Sequence, residues 1–179
     1  DRVTKIGVDF AVHGNPVEFL TLSKEKGAKL RATVSEFGPV LFSKILELND
    51  VQEGVVAIIF KYCDDNQMPL LDLKDFKKVL NYSIAEGEDE FEKEYGKVAS
   101  TTASTILRKI IELEQQGADT FFGEKSFEVD DLVRMNDKGE GLISILRLTD
   151  IQDRPKLFST FMLCLLAEIY ATFPEEGDT

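Results

Sequence analysis

The sequence predicts a predominantly α-helical chain with a small β-sheet, an α+β arrangement, and three observations carry that prediction. Apolar residues recur at helical spacing through most of residues 39–116, with capping residues at the breaks. Two short β-rich runs precede them, at 16–22 (PVEFLTL) and 29–34. Near the C-terminus, residues 141–148 (GLISILRL) form an almost unbroken apolar run of strand length, and an apolar helix follows Pro155.

Taken in order, residues 1–15 alternate weakly and suit a lead-in segment. The two β-rich runs, joined by a turn at 24–27, predict a hairpin or a pair at the edge of a larger sheet. Pro39 suits a first helical position, having no N–H to leave unpaired, and Leu41, Phe42, Ile45 and Leu46 follow at helical spacing. Asp50 with Glu53 has the form of a capping box opening a second helix, whose stripe is Val51, Val55, Ile58, Ile59 and Tyr62. Asp72 caps a third helix ending near Tyr82. Residues 86–95 (EGEDEFEKEY) predict a solvated turn or short exposed helix, with an acidic docking motif as the sharper alternative.

A long helix is predicted over 97–116, with Gly117 as its stop. The hydroxyl-rich stretch 100–105 predicts a helix face close to another backbone. Residues 119–127 form a loop anchored by aromatics, and 129–135 a short helix leading to a turn at 136–139. The run at 141–148 predicts a strand in the middle of a covered parallel sheet. With the helix after Pro155 and a turn at 174–179, it reads as half of a βαβ unit whose next strand is missing.

Composition narrows the function. A length of 179 residues fits one ordinary domain, and 43% hydrophobic with 30% charged residues is a globular profile. A net charge of −12 argues against gripping a nucleic-acid backbone, which needs clustered Lys and Arg. Cys63 and Cys164, far apart in apolar helical contexts, predict buried thiols in a reducing compartment, so the cytoplasm. The most apolar run, Phe161 to Ala167, is much shorter than the roughly 20 residues of a membrane span. The chain starts at Asp1 without Met, which suits a processed or excised product.

The motifs needed for self-contained chemistry are not in the sequence. Gly96-Lys97 lacks the upstream Gly and following Ser or Thr of a phosphate-binding loop. One histidine, His13, supports neither a catalytic triad nor a multi-histidine metal site, and a loop role is expected for it. Asp64-Asp65-Asn66 lacks the spacing of a calcium loop and predicts a polar helix end. Glu168, an acid within the apolar C-terminal helix, either points out through a polar face near Thr160 and Cys164 or is buried against an arginine.

Residues 31–65 (RATVSEFGPVLFSKILELNDVQEGVVAIIFKYCDD) resemble the bacterial HerA-like helicases, also called YjgR-type ATPases, in the HerA–FtsK group of RecA-like P-loop motors. Further segments fit in the same order: LLDLKDFKKVL at 70–80, EYGKVAS at 94–100, ILRKIIELEQQGADTFFGE at 106–124, GEGLISIL at 139–146 and RPKLFSTFMLCLLAEIY at 154–170. The resemblance implies a piece lying between the phosphate-binding loop and the acidic metal strand of a larger ATPase. On that footing 1–35 is a lead-in with edge strands, 36–138 a helical insertion, and 139–179 a strand and helix of a partial RecA-like core, all in a single compact unit.

The same resemblance implies ATP and magnesium in the parent, none in the fragment, and DNA translocation or unwinding through the parent only. Its implied partners are the rest of the parent ATPase and further copies of itself, with no membrane. Phosphoryl transfer needs a charge-stabilising arginine, the one catalytic part this segment is able to supply. Arg31, Arg108 and Arg154 lie in these segments, and Arg134 and Arg147 lie between them. Arg134 is the first candidate for an arginine finger and Arg108 the second, set against ordinary pairing with one of the chain's many acids. The rival reading is a self-standing acidic helical protein-interaction module; an acidic DNA mimic is weaker still.

Overall fold

The computed structural model describes residues 5–7, 14–22, 25–151 and 154–173, so His13, part of the turn at 24–27 and the turn at 174–179 lie outside the described residues. The fold is mostly helical with a small parallel sheet, as the sequence predicts.

Helix α1 (Val34–Ile45) begins before Pro39. Thr33 caps it: its hydroxyl accepts from the Glu36 N–H at 3.1 Å, and the Glu36 carboxylate accepts from the Thr33 N–H at 2.9 Å. Gly38 then leaves helical geometry at φ 67°, so Pro39 opens the second, longer piece of α1. Helix α2 (Asp50–Asp65) is capped by Asn49 with Gln52, at 3.1 and 3.2 Å, and not by Asp50 with Glu53. Asn49 has the extended backbone a cap needs, which leaves both acids in the first turn, where their charge favours the helix dipole. In α3 (Leu73–Tyr82) the Asp72 carboxylate accepts from the N–H groups of Lys74 and Asp75 at 2.7 and 3.0 Å, as predicted.

The acidic stretch forms a short helix, α4 (Glu88–Glu94), whose Phe91 is wholly buried 4.5 Å from the Tyr62 ring. The carboxylates are the wet side of a buried aromatic anchor. Helix α5 (Ser100–Gln115) ends before Gly117, which adopts φ 90°. Its Ser100, Thr101 and Ser104 face solvent and not another backbone, because Ala103, Ile106, Ile110 and Leu113 take the buried side.

Phe42 lies 4.9 Å from Phe76 at the centre of the helical core, with Ile59, Leu80, Ile106 and Ile110 also fully buried around it. The loop at 119–127 plugs one end: Phe121 and Phe122 meet Phe37 edge-on at 5.8 and 5.0 Å.

Strands β1 (Val17–Thr21), β2 (Ala28–Lys29) and β3 (Ile143–Arg147) run parallel in the order β2-β1-β3. No hairpin joins β1 to β2. The chain turns back so closely that a Cβ at Gly27 would stand 2.7 Å from the Phe19 carbonyl oxygen, and only glycine passes there. The second strand is shorter than predicted, since Ala32 makes only an isolated bridge to Phe122 before α1 begins.

β3 lies at an edge of the three-stranded sheet, not in a covered middle position. Its Leu146 packs on the core while Ile143 and Ile145 remain exposed. Helix α6 (Pro155–Thr172) opens at Pro155 as predicted but is only half covered. It buries Leu157, Thr160, Phe161 and Cys164 and leaves Phe158, Leu163, Leu166 and Tyr170 in solvent. Cys63 and Cys164 are both buried free thiols.

Candidate functional site

These five arginines lie on different elements and have different partners. Arg134 follows the 3-10 turn Val129–Val133, and its guanidinium pairs with Glu18 of β1 and, at 3.8 Å, with Asp131. Arg108 is exposed on α5, where its Nη2 donates to the Thr105 hydroxyl at 3.0 Å. Arg147 stacks over the Phe19 ring at 4.6 Å and donates to the Lys26 carbonyl at 3.3 Å. Arg154 occupies the N-cap of α6, where its Nη1 fills the space a Cβ at Gly117 would need. Arg31 is bound to the loop at 126 through its backbone, whose N–H donates to Ser126 Oγ at 2.8 Å, while its buried Nε has no hydrogen-bond partner among the described residues.

Arg31 also lines a small cavity with Glu36, Lys125, Cys164 and Glu168. Lys125 is its centre of charge, 2.7 Å from Glu36 and 2.8 Å from Glu128. Those two carboxylates hold the Lys125 ammonium well above the ordinary lysine range. Burial alone would push the Glu36 carboxyl up. The hydrogen bonds from Lys125 and the Thr33 N–H outweigh it and hold Glu36 below its ordinary range. Burial likewise pushes Cys164, on the cavity wall, up to about 12, and Cys63 up to about 11, so both stay protonated thiols near neutrality.

The cavity volume is about 20 Å³, the room of a single water, for which about 10–15 Å³ suffices. It is a clasp tying α1, the 125–129 loop and α6 together. Glu168 thus takes neither of its two predicted settings cleanly: it is half-buried on a wall shared with Arg31, beside Cys164.

ATP with magnesium would need a backbone phosphate cradle, a lysine free to reach it and acidic metal ligands. The residues present do not fit. Lys97, after Gly96, is engaged by Glu88 and Glu92 at 3.3 and 3.5 Å. Asp65 ends α2 and is held by Lys61 and, at 3.1 Å, by the Tyr95 hydroxyl, so Asp64, Asp65 and the C-cap Asn66 form a polar helix end. Among the described residues no group of three or more His, Cys, Asp or Glu is placed to hold a metal ion.

One side of the sheet is open. The register sets Val17 beside Ile143 and Phe19 beside Ile145, so these exposed residues share a face, while Thr21, beside Arg147 at the end of the strand, is buried. Sequence periodicity alone could not show this face, since it depends on which strands pair. The Lys125 clasp left no sequence signal either, because its Glu36 partner is remote in the chain.

A family model described as helicase HerA-like C-terminal matches residues 1–179. This chain belongs to that family. No curated protein and no solved structure matches it. The match sets the chain among the HerA-like helicases, a family of ATP-binding proteins. Among the described residues no helix is long and apolar enough to cross a membrane.

Proposed function

We propose that this chain is a non-catalytic internal segment of a HerA-like P-loop ATPase, lying between the phosphate-binding loop and the acidic metal strand. The parent is an ATP-driven DNA helicase or translocase of the cytoplasm that assembles with copies of itself and meets DNA through its other parts. The bare side of the sheet supports this reading.

Val17, Phe19, Ile143 and Ile145 are 48%, 44%, 46% and 40% exposed. Single exposed apolar side chains are ordinary, but four neighbours on a parallel sheet are not, since parallel sheets are covered on both faces. In this reading further RecA-like core elements of the parent cover them. β3 and α6 are then the start of a βαβ unit, whose next strand would run along the free side of β3.

Catalysis in the parent draws its phosphate cradle and metal ligands from elsewhere and at most a charge-stabilising arginine from here. Of the two candidates Arg108 is the better placed. Arg134 would have to abandon two carboxylates before reaching a nucleotide, whereas Arg108 would give up only the Thr105 hydroxyl.

The test places Ile145→Glu in the 179-residue chain and in the longer gene product. In the short chain the new charge stays in water and costs about 0.5 kcal/mol or less in chemical denaturation. In the longer protein it is buried without a partner, which costs about 3 kcal/mol or more and abolishes ATP turnover. An equally small cost in both would overturn the proposal and favour a self-standing acidic interaction module.

A further inference from the structure

Helix α6 carries a second open surface, on the flank where it meets the end of α1. Ser159, Leu163, Leu166 and Tyr170 recur there at intervals of four, three and four, the spacing along which one helix receives another. They point into solvent: Leu163, Leu166 and Tyr170 are 45%, 56% and 79% exposed. At the N-terminal end of this seam a cavity of about 270 Å³ opens between the helices, walled by Ile45, Leu163, Thr160, Lys44, Lys156 and Glu47. Cofactor pockets start at roughly 300 Å³, so the space suits inserted side chains of a docked segment.

The charges at this end are unequal in a telling way. Lys156 is satisfied by Glu112 at 2.7 Å and Glu47 at 3.3 Å, and Glu47 also meets Lys109 at 3.8 Å. Lys44, exposed in the last turn of α1, has no ion pair among the described residues, in a chain whose net charge is −12. Thr160, only 1% exposed on the same wall, has a hydroxyl without a hydrogen-bond partner among the described residues. A second copy of α6 would not answer Lys44, because Ser159, Leu163, Leu166 and Tyr170 are all uncharged and Glu168 belongs to the wall beside Arg31.

We propose that this groove seats an amphipathic α-helix of a partner protein, apolar at alternating three- and four-residue intervals and bearing carboxylates beside its seam. Its apolar side chains lie on Leu163, Leu166 and Tyr170, one enters the cavity, and a carboxylate pairs with Lys44. The seam and the sheet face are separate surfaces, but α6 also belongs to the βαβ unit of the ATPase reading, so the proposal rests on the parent leaving this flank of α6 uncovered.

The probe is a labelled helical peptide of about three heptads, with leucine along the seam and glutamate beside it, and a twin with lysine in place of glutamate. Fluorescence anisotropy with the 179-residue chain is expected to show the glutamate peptide binding about tenfold more tightly. Lys44→Glu should reverse that preference, and Leu166→Glu, at a solvent-exposed position, should weaken binding at least about tenfold with circular dichroism unchanged. Equal affinity for the two peptides, or binding indifferent to Leu166→Glu, overturns the proposal. So does self-association of the chain that Leu166→Glu abolishes in sedimentation, which would make a second copy the occupant. Binding lost in the longer gene product would assign the groove to an intramolecular helix and overturn it equally. Normal peptide binding together with a failed Ile145→Glu test would leave this proposal standing and remove the other.

Discussion

Phe76 and Phe19 are both aromatic residues on regular elements, yet the first is wholly buried and the second 44% exposed. The contrast extends to their surroundings. Helices α1, α2, α3 and α5 close around Phe42, Phe60, Phe76, Ile106 and Ile110, with polar or charged residues on most of their outer positions. The sheet and α6 keep apolar residues on both sides, of which only one is packed. A region closed on itself draws its stability from its own core, whereas a region with a bare apolar side is shaped for contact with something more.

That difference should be measurable, and the widest gap is in core substitutions. Phe76→Ala empties a site shared with Phe42 and Phe60 and should cost about 3–5 kcal/mol in denaturant unfolding. Val17→Ala on the open sheet should cost about 0.5 kcal/mol or less. Comparable costs would erase the distinction between the regions.

A finer measure uses the two thiols as reporters of local opening. Cys63 sits in the closed helical region at 2% exposure and Cys164 in α6 at 7%. Both are held protonated, so labelling by a disulfide reagent near neutral pH waits on opening of the fold. Cys164 should react about tenfold faster, since weakly packed segments open at lower free energy. Equal rates in mass-spectrometric labelling would mean that the two regions open together.

The smallest effect concerns the clasp between them. Glu36 is held below its ordinary pKa of 4.5, so its contribution is present above pH 4.5 and is lost as pH falls through its lower folded value. Glu36→Gln should therefore flatten the loss of stability below pH 4.5, with little change at neutral pH beyond the lost Lys125 pairing. An unchanged acid limb in pH-dependent thermal melts would remove Glu36 from the clasp.

The helical region was legible in the sequence because its signals are local. Asp72 before a periodic run, Pro39 inside α1 and Gly117 after α5 each mark a position whose backbone demand one residue type meets. The displaced cap at Asn49 shows the limit: two acceptable pairs overlapped, and the backbone took the amide pair one residue earlier. The sheet was legible only as a set of β-rich runs. Pairing direction depended on the tight return past Gly27, and the coverage of β3 on what lies above Ile143 and Ile145, neither of which alternation of residue types encodes. The candidate sites fared least well in the sequence. Arg108 could be named as an arginine in a matched segment and Arg134 as one between two of them, but the carboxylates around Arg134 and the hydroxyl beside Arg108 are facts of three-dimensional proximity.

Helix α6 is anchored by Lys156 at its base, and none of its residues beyond Cys164 is fully buried. Residues 165–172 continue the rod for eight residues, about 12 Å at 1.5 Å per residue, supported along one side only, where Leu165 meets the core and Glu168 the wall beside Arg31. A rod held along one side converts a slight roll about its own axis into a shift of whatever rests on its other flank. Tyr170, 79% exposed on that flank, is the side chain such a roll would displace most with the least rearrangement of the core.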